Sequence, residues 1–328
     1  MKAIVVVDPG ESSVLEIRER PDAVVDAGNL RIRVAAAGLN RADLLQRRGQ
    51  YPPPPGTDPS VPGLEIAGQV ILSRDASGRF REGDRVMALL PGEGYAQEAV
   101  VPSALCMPVP ENLTFEEAAS VPEVFLTAYD ALFRQIDLRL GETLLVHAAG
   151  SGVGTAAIQL AAAAGVRIIG TSRSRAKLER AAGLGLNEGL VPGETEDLVE
   201  SVRRRTGGQG VDAILDLVGT AYWPQNLEIL RSLGRIMVVG LVSGRKTEVD
   251  LGILLRKRLR IYGTALRSRS LVEKAALIEE FSARVLPLFR SGRIRPVVDR
   301  VFPWTQTEEA HRHLESNDSF GKVVLAIS

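Results

Sequence analysis

The sequence predicts an α/β protein in which a doubly wound parallel sheet is inserted into a β-rich domain. Three observations carry this. Residues 143–177 read as strand, small-residue turn, helix and strand, which is one βαβ unit. From 211 to 264 apolar runs alternate with helical stretches, the pattern of a parallel sheet with crossover helices. The short Val/Ile/Leu runs of residues 1–120 return near the C-terminus, so the alternating segment lies between two similar pieces. A chain of 328 residues exceeds one ordinary core. The expected domains are 1–121 with 268–328, and 122–267.

In order, 3–7, 30–36, 66–72, 85–90 and 98–101 are predicted strands, separated by Gly-Asp, Pro and Ser. Residues 41–48 form a short helix and 75–83 a surface turn. The run Tyr51-Pro52-Pro53-Pro54-Pro55-Gly56 must be extended, because proline fixes φ and restricts its predecessor. It reads equally as a rigid linker or as a loop lining a site. Thr114 starts a helix with Glu116 and Glu117 in its first turn, where they complement the dipole. A second helix spans 122–135. After the βαβ unit come strand 211–217, helix 223–233, strand 235–240, helix 251–258 and strand 260–264. A long helix is expected over 271–291, then strand 297–302, a helix from 307 to 315 and strand 322–327.

Residues 148–154 carry the chemistry. On G-x-G-x-x-G the three positions fall on Ala149, Ser151 and Gly154, with further glycines at Gly150 and Gly152. With Val153 these residues let backbone N–H groups approach a pyrophosphate while the helix N-terminus faces its charge. About 20 residues on, an NAD site usually places a carboxylate for the ribose 2′-OH. Here the stretch is Thr171-Ser172-Arg173-Ser174-Arg175-Ala176-Lys177, with three cations and no carboxylate. That favours NADPH, held by Ser172, Arg173 and Lys177, because guanidinium and hydroxyls suit a 2′-phosphate. A solvated basic start to the next helix is the alternative.

Composition excludes several classes. Forty Lys and Arg balance 40 Asp and Glu, so no basic excess points to nucleic acid. The run Arg256-Lys257-Arg258 with Arg260 has no aromatic platform beside it and reads as a solvated helix end. The single cysteine, Cys106, precludes an intrachain disulfide or a thiolate zinc cluster, and reads as a small buried hydrophobe. No apolar run reaches the ~20 residues of a spanning helix. The start of the chain is not a signal peptide, and the expected compartment is the cytoplasm. His147 ends a buried strand and is expected to bond backbone; His311 and His313 do not share a helix face, so no metal pair is expected.

The segments Ala37-Gly38-Leu39-Asn40-Arg41-Ala42-Asp43, Gly49-Gln50-Tyr51-Pro52-Pro53-Pro54, Pro62-Gly63-Leu64-Glu65-Ile66-Ala67-Gly68, Gly83-Asp84-Arg85-Val86, Leu126-Thr127-Ala128-Tyr129, the stretch from His147 to Leu160, and Gly321-Lys322-Val323-Val324-Leu325 appear in order. Across its whole length the chain resembles the medium-chain dehydrogenase/reductase superfamily. Within it the chain is similar to the zinc-independent, zeta-crystallin-like quinone oxidoreductases, and most to the tumour-suppressor-inducible quinone oxidoreductase subfamily. The resemblance implies a Rossmann domain inserted into a GroES-like catalytic domain, and a homodimer with the edge strand at 260–264 as its surface. Zinc-dependent relatives carry Cys at the place of Asn40 and His at the place of Leu64. Asn is a poor zinc ligand and Leu none, so no metal is expected.

The resemblance also implies where the nicotinamide lies: in the cleft between domains, at the carboxyl ends of the strands. Thr127, Gly240, Leu241, Thr264, Ala265 and Leu266 border the ring and its ribose, and Lys322 joins the cofactor contacts. Asn40 and Tyr51 face the acceptor. Many relatives hold the adenosine phosphate with a tyrosine near the end of the third strand, but Gly189-Leu190-Val191-Pro192-Gly193 contains none. The reaction implied is hydride transfer from NADPH to a quinone, with Asn40 and the Tyr51 hydroxyl bonding the carbonyl oxygen. Tyr51 packed on its prolines and Asn40 as a turn residue remain the alternatives. Reduction of an enone or enoyl C=C bond, or nucleotide binding with little catalysis, are the competing functions.

Overall fold

The computed structural model describes residues 1–10, 14–22, 24–194 and 197–327, and the chain forms two units. Unit 1 comprises Met1–Leu126 and Leu266–Ser328, and unit 2 comprises Thr127–Ala265.

Unit 1 begins with β1 (Lys2–Val7), β2 (Val14–Glu19) and β3 (Asn29–Gly38), then α1 (Arg41–Arg47), β4 (Glu65–Ser73), β5 (Arg85–Leu89), β6 (Glu98–Pro102) and β7 (Cys106–Pro108). The capped turn α2 (Phe115–Ala118) precedes α3 (Pro122–Tyr129), along which the chain passes into unit 2. Strand β2 escapes the sequence reading because VLEIRE buries no face; it pairs antiparallel with β1. The helix expected over 122–135 is α-helical only to Tyr129 and widens into a π-helical turn over Asp130–Gln135.

Unit 2 holds β8 (Thr143–Val146), α4 (Gly152–Ala163), β9 (Arg167–Thr171), α5 (Arg175–Ala182), β10 (Glu188–Leu190), α6 (Leu198–Arg205), β11 (Val211–Asp216), α7 (Trp223–Ile229), β12 (Leu230–Val238), α8 (Leu251–Lys257) and β13 (Arg260–Gly263). Its six strands lie in the order β10-β9-β8-β11-β12-β13, all parallel. This is the doubly wound sheet that the alternation predicts. Helix α7 stops four residues before the expected end: the backbone turns extended at Leu230, with ψ 134°, and Leu233 beyond it takes a left-handed φ of 67°. Strand β12 therefore starts at Leu230.

Back in unit 1 come α9 (Leu271–Arg284), α10 (Leu286–Arg290), β14 (Val298–Pro303), α11 (Thr307–Glu315) and β15 (Lys322–Ala326). The single helix expected over 271–291 is broken at Val285. Pro287 lacks an N–H and its ring collides with the carbonyl four residues earlier, so α10 starts afresh with proline in its first turn. Strand β15 bridges the two ends of the unit: it pairs parallel with β14 and antiparallel with β3. The seven-stranded sheet runs β14-β15-β3-β4-β5-β7, with β6 also on β3.

Cys106 is fully buried, and burial pushes its thiol up to about 12, so it packs rather than reacts. His313 bonds Asp299 at 2.7 Å, whereas His311, also fully buried, has no hydrogen-bond partner at either ring nitrogen and meets Tyr95 edge-on at 6.1 Å. Burial first, then the Arg47 charge, lower the His311 pKa to about 3. The folded protein therefore keeps His311 neutral while the unfolded chain protonates it below about 6.5. As pH falls from 6.5 toward 3 this residue should cost about 1.4 kcal/mol of stability per unit. Urea unfolding at stepped pH should show His311→Phe at least as stable as wild type at pH 7 and less acid-sensitive below 6.5. An acid slope identical in the two proteins would contradict this.

Candidate active site

In unit 2 the candidate cofactor residues follow the carboxyl ends of parallel strands. Gly150, Ser151, Gly152, Val153 and Gly154 follow β8, Ser172, Arg173 and Lys177 follow β9, Gly240 and Leu241 follow β12, and Thr264 and Ala265 follow β13. One sheet edge thus carries them all, which is where ligands bind in doubly wound folds. Thr127, also in unit 2, is buried on α3. Ser151 caps α4, its hydroxyl accepting the Gly154 N–H at 3.1 Å. The Gly152 and Val153 N–H groups remain as the first-turn donors that a pyrophosphate would use. Gly154 must lack a side chain: a Cβ there would meet the Ala148 carbonyl oxygen at 2.5 Å. Ser172 accepts the Ser174 N–H at 3.1 Å, and Ser174 caps α5, which starts the basic stretch. The turn and these residues fit a dinucleotide.

A side-chain relay that sequence reading misses backs this edge. His147 bonds side chains rather than the expected backbone: Nδ1 meets Thr171 Oγ1 at 2.8 Å, and Nε2 meets Asn226 Oδ1 at 2.7 Å. Asn226 donates onward to Asp216 at 3.2 Å, and Asp216 accepts the N–H groups of Val218 and Gly219. Burial lowers the His147 pKa, opposed by the charge of Asp216. Tyr222 stacks flat on the imidazole, centroids 4.6 Å apart and planes 10° apart, and its phenol feels the charge of Arg173.

In unit 1, Asn40 precedes α1 and is 9% exposed. Its Nδ2 donates to Glu65 Oε1 at 3.0 Å and to the Gly38 carbonyl at 3.3 Å, and its Oδ1 accepts from Lys322 Nζ at 2.7 Å. Both amide hydrogens are spent within the unit, so the amide orders the site rather than waiting for an acceptor. Lys322 Nζ also lies 2.6 Å from Glu65 Oε1 and bonds the Leu39 carbonyl. Glu65 Oε2 accepts the Glu123 N–H at 2.8 Å. Gly38 makes room: a Cβ would meet Glu65 Oε1 at 2.6 Å. Beneath, Asp43 accepts from Asn40 N at 2.7 Å, Tyr95 Oη at 2.9 Å and Gly63 N at 3.2 Å. Burial nevertheless lifts its carboxyl to about 6.

Lys322 and Leu266, expected among the cofactor contacts, belong to unit 1: Lys322 is committed to Glu65, and Leu266 is buried. Tyr51 is half-buried, and its phenol pKa is raised by burial first and by Glu123 second. Its ring packs under the Arg267 guanidinium at 5.1 Å rather than on its prolines alone. Burial, then Glu65, push the Glu123 carboxyl up to about 8, so it is mostly protonated at neutral pH.

A zinc ion does not fit this donor set. An ammonium already stands 2.6 Å from Glu65 and 2.7 Å from Asn40, Leu64 offers no donor, and a divalent ion beside Lys322 would be repelled. Among the described residues no three His, Cys, Asp or Glu side chains gather as a metal site. Sequence reading quoted Glu65 and Asp43 without giving them a role. The available signal was a carboxylate inside the apolar run Leu64–Ala67 and a lysine opening the run after Gly321, since buried charges need partners. Lys322→Met should cost about 3–5 kcal/mol by leaving the Glu65 charge unpaired, and adding Glu65→Gln should recover much of it. Urea denaturation of both variants checks this; equal loss in the single and double variants would contradict it.

Residues 152–283 match the family described as zinc-binding dehydrogenase, and residues 26–111 match the alcohol dehydrogenase GroES-like domain. The chain is 32% identical to the mouse synaptic vesicle membrane protein VAT-1 homolog, over 99% of this chain and 83% of that one. It is 29% identical to rat quinone oxidoreductase, over 100% and 98%. It is 35% identical to the pikromycin polyketide synthase component PikAII of Streptomyces venezuelae, but 92% of this chain spans only 8% of that protein. Among solved structures, an NAD-dependent alcohol dehydrogenase superimposes with a TM-score of 0.89 at 32% identity, covering 100% of each chain. A mycobacterial protein complexed with NADPH gives 0.87 at 30%, covering 99% of each. The CurK enoyl reductase gives 0.86 at 27%, covering 100% of this chain and 99% of that one. The chain belongs to the medium-chain dehydrogenase/reductase superfamily of oxidoreductases.

Proposed function

We propose that this oxidoreductase is a cytoplasmic, NADPH-dependent quinone reductase that works as a homodimer and without zinc. The observation that carries the reading is the Lys322–Glu65–Asn40 cluster, which puts a protein ammonium where a zinc-dependent relative would need a metal. Without a Lewis acid nothing stabilises the alkoxide of an unactivated alcohol, whereas an electron-poor quinone needs none. Bound NADPH would supply the hydride. The protein's part is to hold and orient. The first turn of α4 faces the pyrophosphate. Ser172, Arg173 and Lys177 hold the 2′-phosphate, and Tyr222 sets an aromatic face near Arg173 that the third strand lacks. Tyr51, a neutral phenol whose pKa burial raises further, presents a hydroxyl donor to the acceptor oxygen. Asn40 acts from behind, fixing the turn between β3 and α1 to Glu65 and Lys322. The similarity to rat quinone oxidoreductase supports the acceptor class, and the NADPH-complexed mycobacterial structure supports the cofactor.

Reduction of an enone or enoyl C=C bond is the second reading, favoured by the likeness to the CurK enoyl reductase. That chemistry needs a proton delivered to carbon, for which the Tyr51 hydroxyl is the placed donor. Turnover of a simple quinone and an enone with NADPH, repeated in Tyr51→Phe, separates the two. The quinone reading expects quinone turnover that survives in Tyr51→Phe with a raised KM, because solvent can protonate the quinol oxygen once the hydroxyl contact is lost. Negligible quinone turnover with a large loss on the enone would sink it.

Arg173→Ala should weaken NADPH binding about tenfold or more while changing NADH by less than about twofold, by loss of a charge-assisted contact. Equal losses would show that Arg173 does not read the 2′-phosphate. For the dimer, β13 is an unpaired edge of the sheet, and Ile261 on it is exposed, as are Leu251 and Leu255 on α8. Sedimentation at micromolar concentration should give a dimer that Ile261→Glu dissociates; a wild-type monomer would contradict the assignment.

A further inference from the structure

Arg267 is the second residue after the chain re-enters unit 1 at Leu266 and is 5% exposed. Each of its three guanidinium nitrogens donates: Nε to the Pro91 carbonyl at 2.8 Å, Nη1 to the Tyr51 carbonyl at 3.1 Å and Nη2 to Gln46 Oε1 at 2.6 Å. The plane of the same guanidinium covers the Tyr51 ring, 5.1 Å from its centroid. Two further bonds anchor this fork. Gln46 on α1 passes the connection to the Pro59 carbonyl at 2.9 Å. Lys274 on α9 grips the Arg267 carbonyl at 2.7 Å. One side chain thus ties α1, the segment after β5 and the start of the proline loop to α9.

Among the described residues the proline loop has few other backbone bonds to hold its start. Pro52, Pro53, Pro54 and Pro55 offer no N–H groups, and nearby backbone bonds are few: Gln50 N–H to Leu45 and Thr57 N–H to Pro54. Proline stiffness keeps the loop straight but does not aim it. The aim of Tyr51 comes from a carbonyl bond and a stacked cation on the same residue, both supplied by Arg267.

We infer that Arg267 is a positioning residue for the acceptor: it clamps the Tyr51 loop so that the phenol is presented in one orientation. This rests on the reading that Tyr51 faces the acceptor. Arg267 acts through Tyr51 and touches neither reacting group. A lysine cannot replace it, because one ammonium lacks both the three-way fork and the stacking plane.

Arg267→Lys should raise the acceptor KM about tenfold while the NADPH dissociation constant, read by fluorescence titration, changes by less than about twofold. Hydrogen exchange of residues 49–57 should accelerate about tenfold, with β4 and β5 unchanged. In a Tyr51→Ala background Arg267→Lys should add less than about twofold to KM, because the two act as one unit. If Arg267→Lys does not fold, Gln46→Leu removes one acceptor of the fork and should give the same pattern at about threefold. Unchanged loop exchange, a full KM effect that persists without Tyr51, or a parallel loss of NADPH affinity would each overturn the inference. A wild-type protein inactive on quinone and enone alike would defeat the acceptor reading instead, and the exchange arm alone would then decide whether Arg267 holds the loop.

Discussion

The buried ion pair between Lys322 and Glu65 is the contact on which unit 1 depends. Both side chains are nearly solvent-free, so each alone would carry a desolvation cost of several kcal/mol. The fold meets it by full satisfaction. The Glu65 oxygens take Lys322, Asn40 and the Glu123 N–H, and the Lys322 ammonium takes Glu65, Asn40 and the Leu39 carbonyl. Because β4 supplies Glu65 and β15 supplies Lys322, the pair joins strands from the two separated stretches of unit 1. The same pair carries the proposed chemistry. An ammonium in that place disfavours a divalent ion, and on the proposed reading the acceptor is one that needs no metal to receive a hydride.

Around the pair the unit sets protonation states by burial rather than by charge. Asp43 and Glu123 are both lifted, to about 6 and about 8, and the Tyr51 phenol is raised as well. Glu123, which faces Tyr51, therefore keeps its proton at neutral pH and adds no negative charge beside the phenol, whereas Asp43 stays mostly ionised and accepts its three hydrogen bonds. Unit 2 follows a similar economy. His147 is kept neutral inside a relay that ends on backbone N–H groups after β11, and its flat face is used as a platform for Tyr222.

The fold class was readable because it rests on periodicity. The buried run of β8, the Ala-rich α4 and the glycines between them announce a βαβ unit from composition alone. Elements that depend on no buried face, such as β2, left no pattern to read. Helix ends escape the sequence where one backbone conformation overrides a run of good helix formers, at Leu230 and before Pro287. Of the site, the turn after β8 was legible because phosphate binding uses backbone and small residues in a fixed local spacing. The Asn40 cluster was not, because its members lie 25 and 282 positions apart in sequence. Arg267 was invisible for the same reason: its partners Gln46, Tyr51 and Pro91 lie far upstream.

The central claim is that a protein-borne cation, not a metal, completes the acceptor side. It is tested most directly by assaying quinone-dependent NADPH oxidation before and after exhaustive dialysis against a strong chelator, with metal content measured on the same samples. The account predicts sub-stoichiometric zinc throughout and unchanged turnover. Stoichiometric zinc in the active protein, with activity lost on chelation and restored by adding zinc back, would contradict it.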